Sequence, residues 1–165
     1  MTAKIVRALV AFGANLGDPQ SQLGKALNQL QHGPRISVVR TSSLYSTIPA
    51  GGPDNQTPYL NAAASLTTDL TATELLNAVH QVEQAAGRVR AEPWSPRTLD
   101  IDVLFLDDEV QRPNSVSRPG TQGELVLPHA RMAWRRFVMD PAAEIEPDWI
   151  HPLLGRTLHS LRQRL

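Results

Sequence analysis

Apolar residues fall at strand-like spacing in four stretches of the chain and at helical spacing in two stretches between them. Residues 5–12 read as a first strand, which the GAN sequence at 13–15 would close in a turn. Asp18 then predicts a helix N-cap with Pro19 as the first helical residue. Leu23, Ala26, Leu27 and Leu30 form that helix's apolar stripe, with a stop near Gly33 and Pro34. A second strand rich in β-branched residues is expected over 36–45. The segment IPAGGPDNQTP at 48–58 reads as an exposed loop of functional length, and 59–66 as a third strand. Thr71 and Glu74 have the spacing of a capping box ahead of Leu75, Leu76, Val79, Val82 and Ala86, and Gly87 supplies the stop. A fourth strand is expected over 98–106.

The order strand, helix, strand, strand, helix, strand predicts an α+β, ferredoxin-like βαββαβ sandwich with an antiparallel sheet. Both helices would cover one face and leave the other available for a site. C-terminal additions follow: a Pro- and Gly-rich excursion over 112–123, a proline-marked turn at 127–129, and a short helix after His151 and Pro152 carried by Leu154, Leu158, Leu161 and Leu165. There is no internal repeat, and 165 residues suit a single domain over 1–165.

Composition narrows the chemistry. Sixteen basic and sixteen acidic residues cancel, which argues against holding long nucleic acid by an overall field, so any polyanion site is local. The absence of cysteine excludes disulfides, thiolate metal sites and cysteine nucleophiles together. The N-terminal apolar run lacks a long signal core, and no segment approaches the roughly 18 apolar residues of a membrane span. A cytoplasmic protein is expected, without a membrane or nucleic-acid partner.

The informative feature inside this frame is WSPRTLDIDV at 94–103. Alternation along a strand points Asp100 and Asp102 to one face, while Leu99, Ile101, Val103 and Phe105 take the other. Two carboxylates so placed, with Arg88, Arg90 and Arg97 nearby in sequence, suit magnesium and a phosphate substrate; the plain alternative is an exposed strand face bearing two charges. Arginine forks onto phosphate oxygens, and metal on the carboxylates neutralises the same polyanion from the other side. Glu83, on the second helix, either reaches a nucleotide or caps and solvates the helix edge. Trp94 either lies over a flat ligand, stiffens its proline-flanked loop, or packs in the core. His129, with Arg131, Arg135 and Arg136 after it, offers a second basic cluster. No Walker loop, kinase signature, dinucleotide fingerprint or zinc-hydrolase spacing is present.

Seven segments, in order, resemble the 6-hydroxymethyl-7,8-dihydropterin pyrophosphokinase family of folate biosynthesis: FGANLGD (12–18), SSLYST (42–47), PYLNAA (58–63), EQAAGRVR (83–90), WSPRTLDIDV (94–103), LPHARM (127–132) and RRFVMDPAAEI (135–145). They run through nearly the whole chain. The resemblance implies transfer of pyrophosphate from ATP to the pterin hydroxymethyl oxygen on a ferredoxin-like scaffold, with AMP released. It pairs Asp100 and Asp102 with the ligands of two magnesium ions, and Arg88 and Arg97 with catalytic arginines. Glu83, Arg90, Trp94, Arg97, His129 and Arg135 match nucleotide-side residues; Thr47, Tyr59, Asn61 and Phe137 match the pterin pocket.

Three departures stand out. Ala14 replaces a usual serine, Pro93 and Ser95 flank Trp94 where many relatives read RWGPR, and residues 112–124 are longer than in compact relatives, with Arg118 a candidate phosphate contact. The rival readings are another metal-dependent phosphotransferase or phosphohydrolase, a non-enzymatic ferredoxin-like binding module, and a catalytically silent regulator. A monomer is expected.

Overall fold

The computed structural model describes residues 3–48, 54, 57–87, 99–112 and 125–165. Its elements are β1 (Val6–Ala14), α1 (Pro19–His32), β2 (Ile36–Thr41), β3 (Tyr45–Thr47), β4 (Tyr59–Thr68), α2 (Ala72–Ala85), β5 (Asp100–Leu106), a 3-10 turn (Met132–Trp134), α3 (Arg136–Ile145) and α4 (Leu158–Arg162). Local chemistry sets several of these limits. Asp18 accepts from the Ser21 amide at the start of α1, with Pro19 just inside. Thr71 and Glu74 form the reciprocal capping box of α2. Gly87, at φ +78°, follows α2 in the left-handed region that glycine enters without penalty.

All strand pairs are antiparallel, in the order β2-β4-β1-β5, with β3 also on β4. The central strand β1 alternates cleanly. Ala8, Val10, Phe12 and Ala14 pack into a core under α1 and α2, with Leu23, Leu30, Leu75, Val79, Ile101 and Val103. Leu9 and Ala11 pack into a second core with Leu104, Phe105, Met139, Ala142 and Leu158. Between Leu9 and Val10 the β1–β5 register shifts: Leu9 faces Phe105 and Val10 faces Val103, so Leu104 is the extra residue of a β-bulge.

The second core corrects the expectation of an open sheet face. α3 was not evident in the sequence, and it packs on that face. Pro141 inside it removes one backbone donor, yet Val138, Met139, Ala142, Ala143 and Ile145 are all buried, so packing overrides the break. Three smaller corrections follow. β1 runs through Gly13 and Ala14, where a turn was expected. The predicted strand over 36–45 divides into β2 and β3; between them the Ser42 amide still donates to the Ala63 carbonyl, but the Ala63 amide donates to the Ser42 hydroxyl in place of a backbone carbonyl. The closing helix keeps Leu158 and Leu161 as its buried residues, whereas Leu154 lies ahead of it and Leu165 beyond it, both exposed. The excursion over 112–123 falls almost wholly outside the described residues. Among those residues, no helix is long and apolar enough to cross a membrane.

The C-terminal segment closes the second core. Trp149 stacks on Phe105 with ring centroids 5.4 Å apart, an aromatic pair worth about 0.5–1.5 kcal/mol beyond its buried area. The Arg7 guanidinium covers that indole at 4.3 Å. Buried His151 meets Phe105 edge-on, and its Nδ1 accepts from the amides of Leu153 and Leu154. Burial pushes the His151 imidazole below its ordinary pKa of 6.5. The unfolded chain therefore takes up this proton more readily than the folded one. Stability contributed at neutral pH should be lost as pH falls below about 6.5. His151→Asn retains an acceptor without a titration, and thermal midpoints measured from about pH 7.5 to 5.5 should fall less steeply for that variant than for the wild type.

Candidate active site

The register of three strands assembles a polar row on the α3 face of the sheet. Gly13 of β1 lies opposite Asn61 of β4 on one side and Asp100 of β5 on the other. One step along, Ala11 lies between Ala63 and Asp102. Asp100 and Asp102 thus share a face at the start of β5, while Ile101 between them is buried under the helices. The expected alternation of this strand holds as far as Val103. Beyond it the bulge at Leu104 turns Phe105 into the second core, which corrects the expectation that Phe105 shares a face with Ile101 and Val103.

Gly13 is what lets the row lie flat. A β-carbon built there would come within 3.3 Å of Asn61 Oδ1, tighter than ordinary van der Waals contact. The sequence reading placed Gly13 in a turn; a lone glycine within a strand pattern is the signal that marks such a close approach. Asn61 is buried, and its Nδ2 donates to Thr47 Oγ1 at 2.8 Å. Thr47 pairs with Tyr59, so Thr47, Tyr59 and Asn61 belong to one patch of sheet. Phe137, in the first turn of α3, is partly exposed, and the Arg135 guanidinium lies 5.6 Å from its ring centroid.

His129 approaches the carboxylates from the chain that follows β5. Its backbone amide donates to the Leu104 carbonyl at 3.0 Å, fixing the residue beside the edge strand. The Arg131 amide donates to His129 Nδ1, leaving Nε2 to face Asp102 Oδ1 at 3.9 Å. Arg136, by contrast, pairs with Asp140 one helical turn on and is drawn out of the basic cluster. Glu83 neither solvates the helix edge nor lies in the open: it is buried, and its Oε1 accepts the Ile101 amide at 2.7 Å. Arg88, Arg90, Trp94, Arg97 and Arg118 lie outside the described residues.

A model of the family described as 7,8-dihydro-6-hydroxymethylpterin-pyrophosphokinase (HPPK) matches residues 9–147. The chain belongs to the HPPK family. A protein of Synechocystis named 2-amino-4-hydroxy-6-hydroxymethyldihydropteridine pyrophosphokinase is 37% identical over 158 residues, covering 96% of this chain and 75% of its own. Proteins of the same name from Pseudomonas aeruginosa and Methylorubrum extorquens are 37% and 39% identical, covering 87% and 88% of this chain. Among solved structures, wild-type HPPK-DHPS of Plasmodium falciparum with pteroate superposes with a TM-score of 0.71 at 14% identity. It covers 99% of this chain, which spans 43% of that longer one, and at this identity the likeness concerns the fold alone.

In this HPPK chain a second polar cluster, not anticipated from the sequence, braces the patch from the side. Tyr45, opposite Asn61 on β3, donates its hydroxyl to Glu144 of α3, which also accepts from the Ser43 amide and hydroxyl at 2.9 and 2.8 Å. Arg40 of β2 donates to the Ile145 carbonyl at 3.0 Å. Burial works against ionisation of Glu144, but the bonds from Tyr45 and Ser43 together hold its pKa below the usual value. Burial, reinforced by the bond to Glu144, pushes the Tyr45 phenol up to about 12. With only two tyrosines in the chain, absorbance at the phenolate band should show one group titrating near 12. Tyr45→Phe should abolish that step, and Glu144→Gln should bring it down.

Proposed function

We propose that the chain transfers pyrophosphate from ATP to the hydroxymethyl group of 6-hydroxymethyl-7,8-dihydropterin, releasing AMP, a step of folate biosynthesis. Membership of the HPPK family supports this reading. The observation that supports it within the site is the row Asn61, Gly13, Asp100, which sets a buried amide and the Asp100 carboxylate on one face with only a glycine between them.

The pterin binds over the Asn61 side. Tyr59 and Phe137 supply aromatic walls to fix its plane, and Asn61 with Thr47 reads its polar edge. ATP lies across β5, with Asp100 and Asp102 beneath its phosphates. The donor set fits magnesium: two part-exposed hard carboxylates on one face leave the remaining positions of an octahedral ion to water and phosphate oxygens. Magnesium, two ions in our reading, neutralises phosphate charge when bound. His129 and Arg135 hold phosphate oxygens from the opposite side, Glu83, Arg90 and Trp94 serve the nucleotide side, and Arg88 and Arg97 stabilise charge on the transferring group.

The hydroxymethyl oxygen attacks the β-phosphorus, and the bond from that phosphorus to the oxygen bridging the α- and β-phosphates breaks. AMP leaves with the bridging oxygen, and the hydroxyl proton is released. Little covalent chemistry is asked of the protein, so positioning and charge stabilisation carry the rate. We also propose a cytoplasmic monomer, which a single-domain size permits.

Incubation of the protein with ATP, magnesium and the pterin should yield AMP and pterin pyrophosphate together, and neither product in the pterin-free control. ADP or free phosphate instead would assign a different transfer. Asp102→Ala should lower kcat by on the order of 10²–10³-fold. Its thermal midpoint should stay near that of the wild type, because Asp102 belongs to neither apolar core. Near-normal turnover by the folded variant would remove Asp102 from the metal role. Gly13→Ala presses a methyl against Asn61 Oδ1 and should raise KM for the pterin much more than KM for ATP. An equal rise in both would place Gly13 outside the pterin floor.

A further inference from the structure

β5 is the edge of the sheet, and its first turn of ladder carries both carboxylates. In an antiparallel pair, alternate residues direct their amides toward the partner strand and away from it. The Ile101 amide is one that leaves the edge, since it donates to Glu83 Oε1 rather than to β1. It belongs to the peptide unit that joins Asp100 to Ile101, one of the two between the carboxylates. Glu83 reaches it from the last turn of α2, itself buried in the layer that holds the Ile101 side chain. A carboxylate costs free energy to bury and is held there by charge-assisted hydrogen bonds, about twice as strong as neutral ones. Without this acceptor the amide would be orphaned in a buried setting, at the point where two like-charged side chains project from the opposite face of the strand.

We infer that Glu83 is a positioning residue, whose carboxylate clamps the backbone between Asp100 and Asp102 and so fixes the spacing and direction of the metal platform. The inference rests on the proposed metal role of Asp100 and Asp102. It makes the nucleotide-side contribution of Glu83 indirect, through the strand. Replacing the partner that orients a metal ligand typically costs about 10–100-fold in metal affinity.

Two variants separate clamp from charge. Glu83→Gln keeps an oxygen acceptor and removes the charge, whereas Glu83→Ala removes both. The measurement is binding of manganese with a non-hydrolysable ATP analogue, followed by electron paramagnetic resonance, together with hydrogen exchange of the Ile101 amide. Glu83→Ala should weaken binding by about 10–100-fold and speed exchange at Ile101, and Glu83→Gln should restore both. Should Glu83→Ala fail to fold, Glu83→Gln must still bind like the wild type and protect the Ile101 amide. Loss of binding in Glu83→Gln with that amide still protected would overturn the clamp in favour of a direct charge. Wild-type binding in folded Glu83→Ala would overturn it as well. Asp102→Ala is the control: if it leaves manganese binding intact, the metal platform itself falls; if it weakens binding while Glu83→Ala does not, the clamp alone falls.

Discussion

The antiparallel pairing of β1 with β4 and β5 is the constraint on which the rest of the molecule depends. Because a strand repeats every two residues, one choice of register decides at once which side chains enter the core beneath α1 and α2 and which line the site. Phe12 and Val10 lock that choice by burial, and the same lock presents Gly13, Asn61 and Asp100 side by side. Core energetics and site geometry are therefore one problem in this fold. Moving the carboxylates by one residue would require burying them and exposing Ile101 and Val103.

Around this ladder the two halves of the site are supported differently. The Asn61 side is cross-braced: Thr47 holds the amide, and the Tyr45, Ser43, Glu144 and Arg40 bonds tie β2 and β3 to α3. The carboxylate side stands on an edge strand, so it needs support from outside the sheet. His129 is moored to the Leu104 carbonyl on that edge, and the Glu83 bond reaches it from α2.

The sequence displays this design unevenly, for physical reasons. The shared face of Asp100 and Asp102 was legible because a two-residue period needs no tertiary information, and both helix starts were legible because caps are local. α3 was not, because Pro141 reads as a break and only the packing of Met139 and Ala142 on the sheet overrides it. Its presence covers the face that seemed open. Gly13 was misread for a related reason, since its neighbour Asn61 is 48 positions away and no local signal separates a turn glycine from a floor glycine. Glu83 could be weighed only as a solvated or ligand-facing acid, because its partner is a backbone amide and every residue carries one.

The bulge at Leu104 has a bearing on how this chain can change over evolutionary time. From Ile101 to Val103 the residues facing the helices are two apart, but from Val103 to Leu106 they are three apart, and the extra residue absorbs the difference. The bulge works as a phase shifter between the turn after β5 and the carboxylates ahead of it. Excising Leu104, with the turn end held, would make Leu9–Phe105 and Val10–Val103 consecutive rungs of a regular ladder, and Asp100, Ile101 and Asp102 would keep their faces. A single-codon deletion at the bulge is therefore absorbed by the ladder, whereas loss of Ile101 with the bulge retained would carry Asp100 to the helix-covered face. The strand thus accommodates a change of length at Leu104 but not between the two carboxylates.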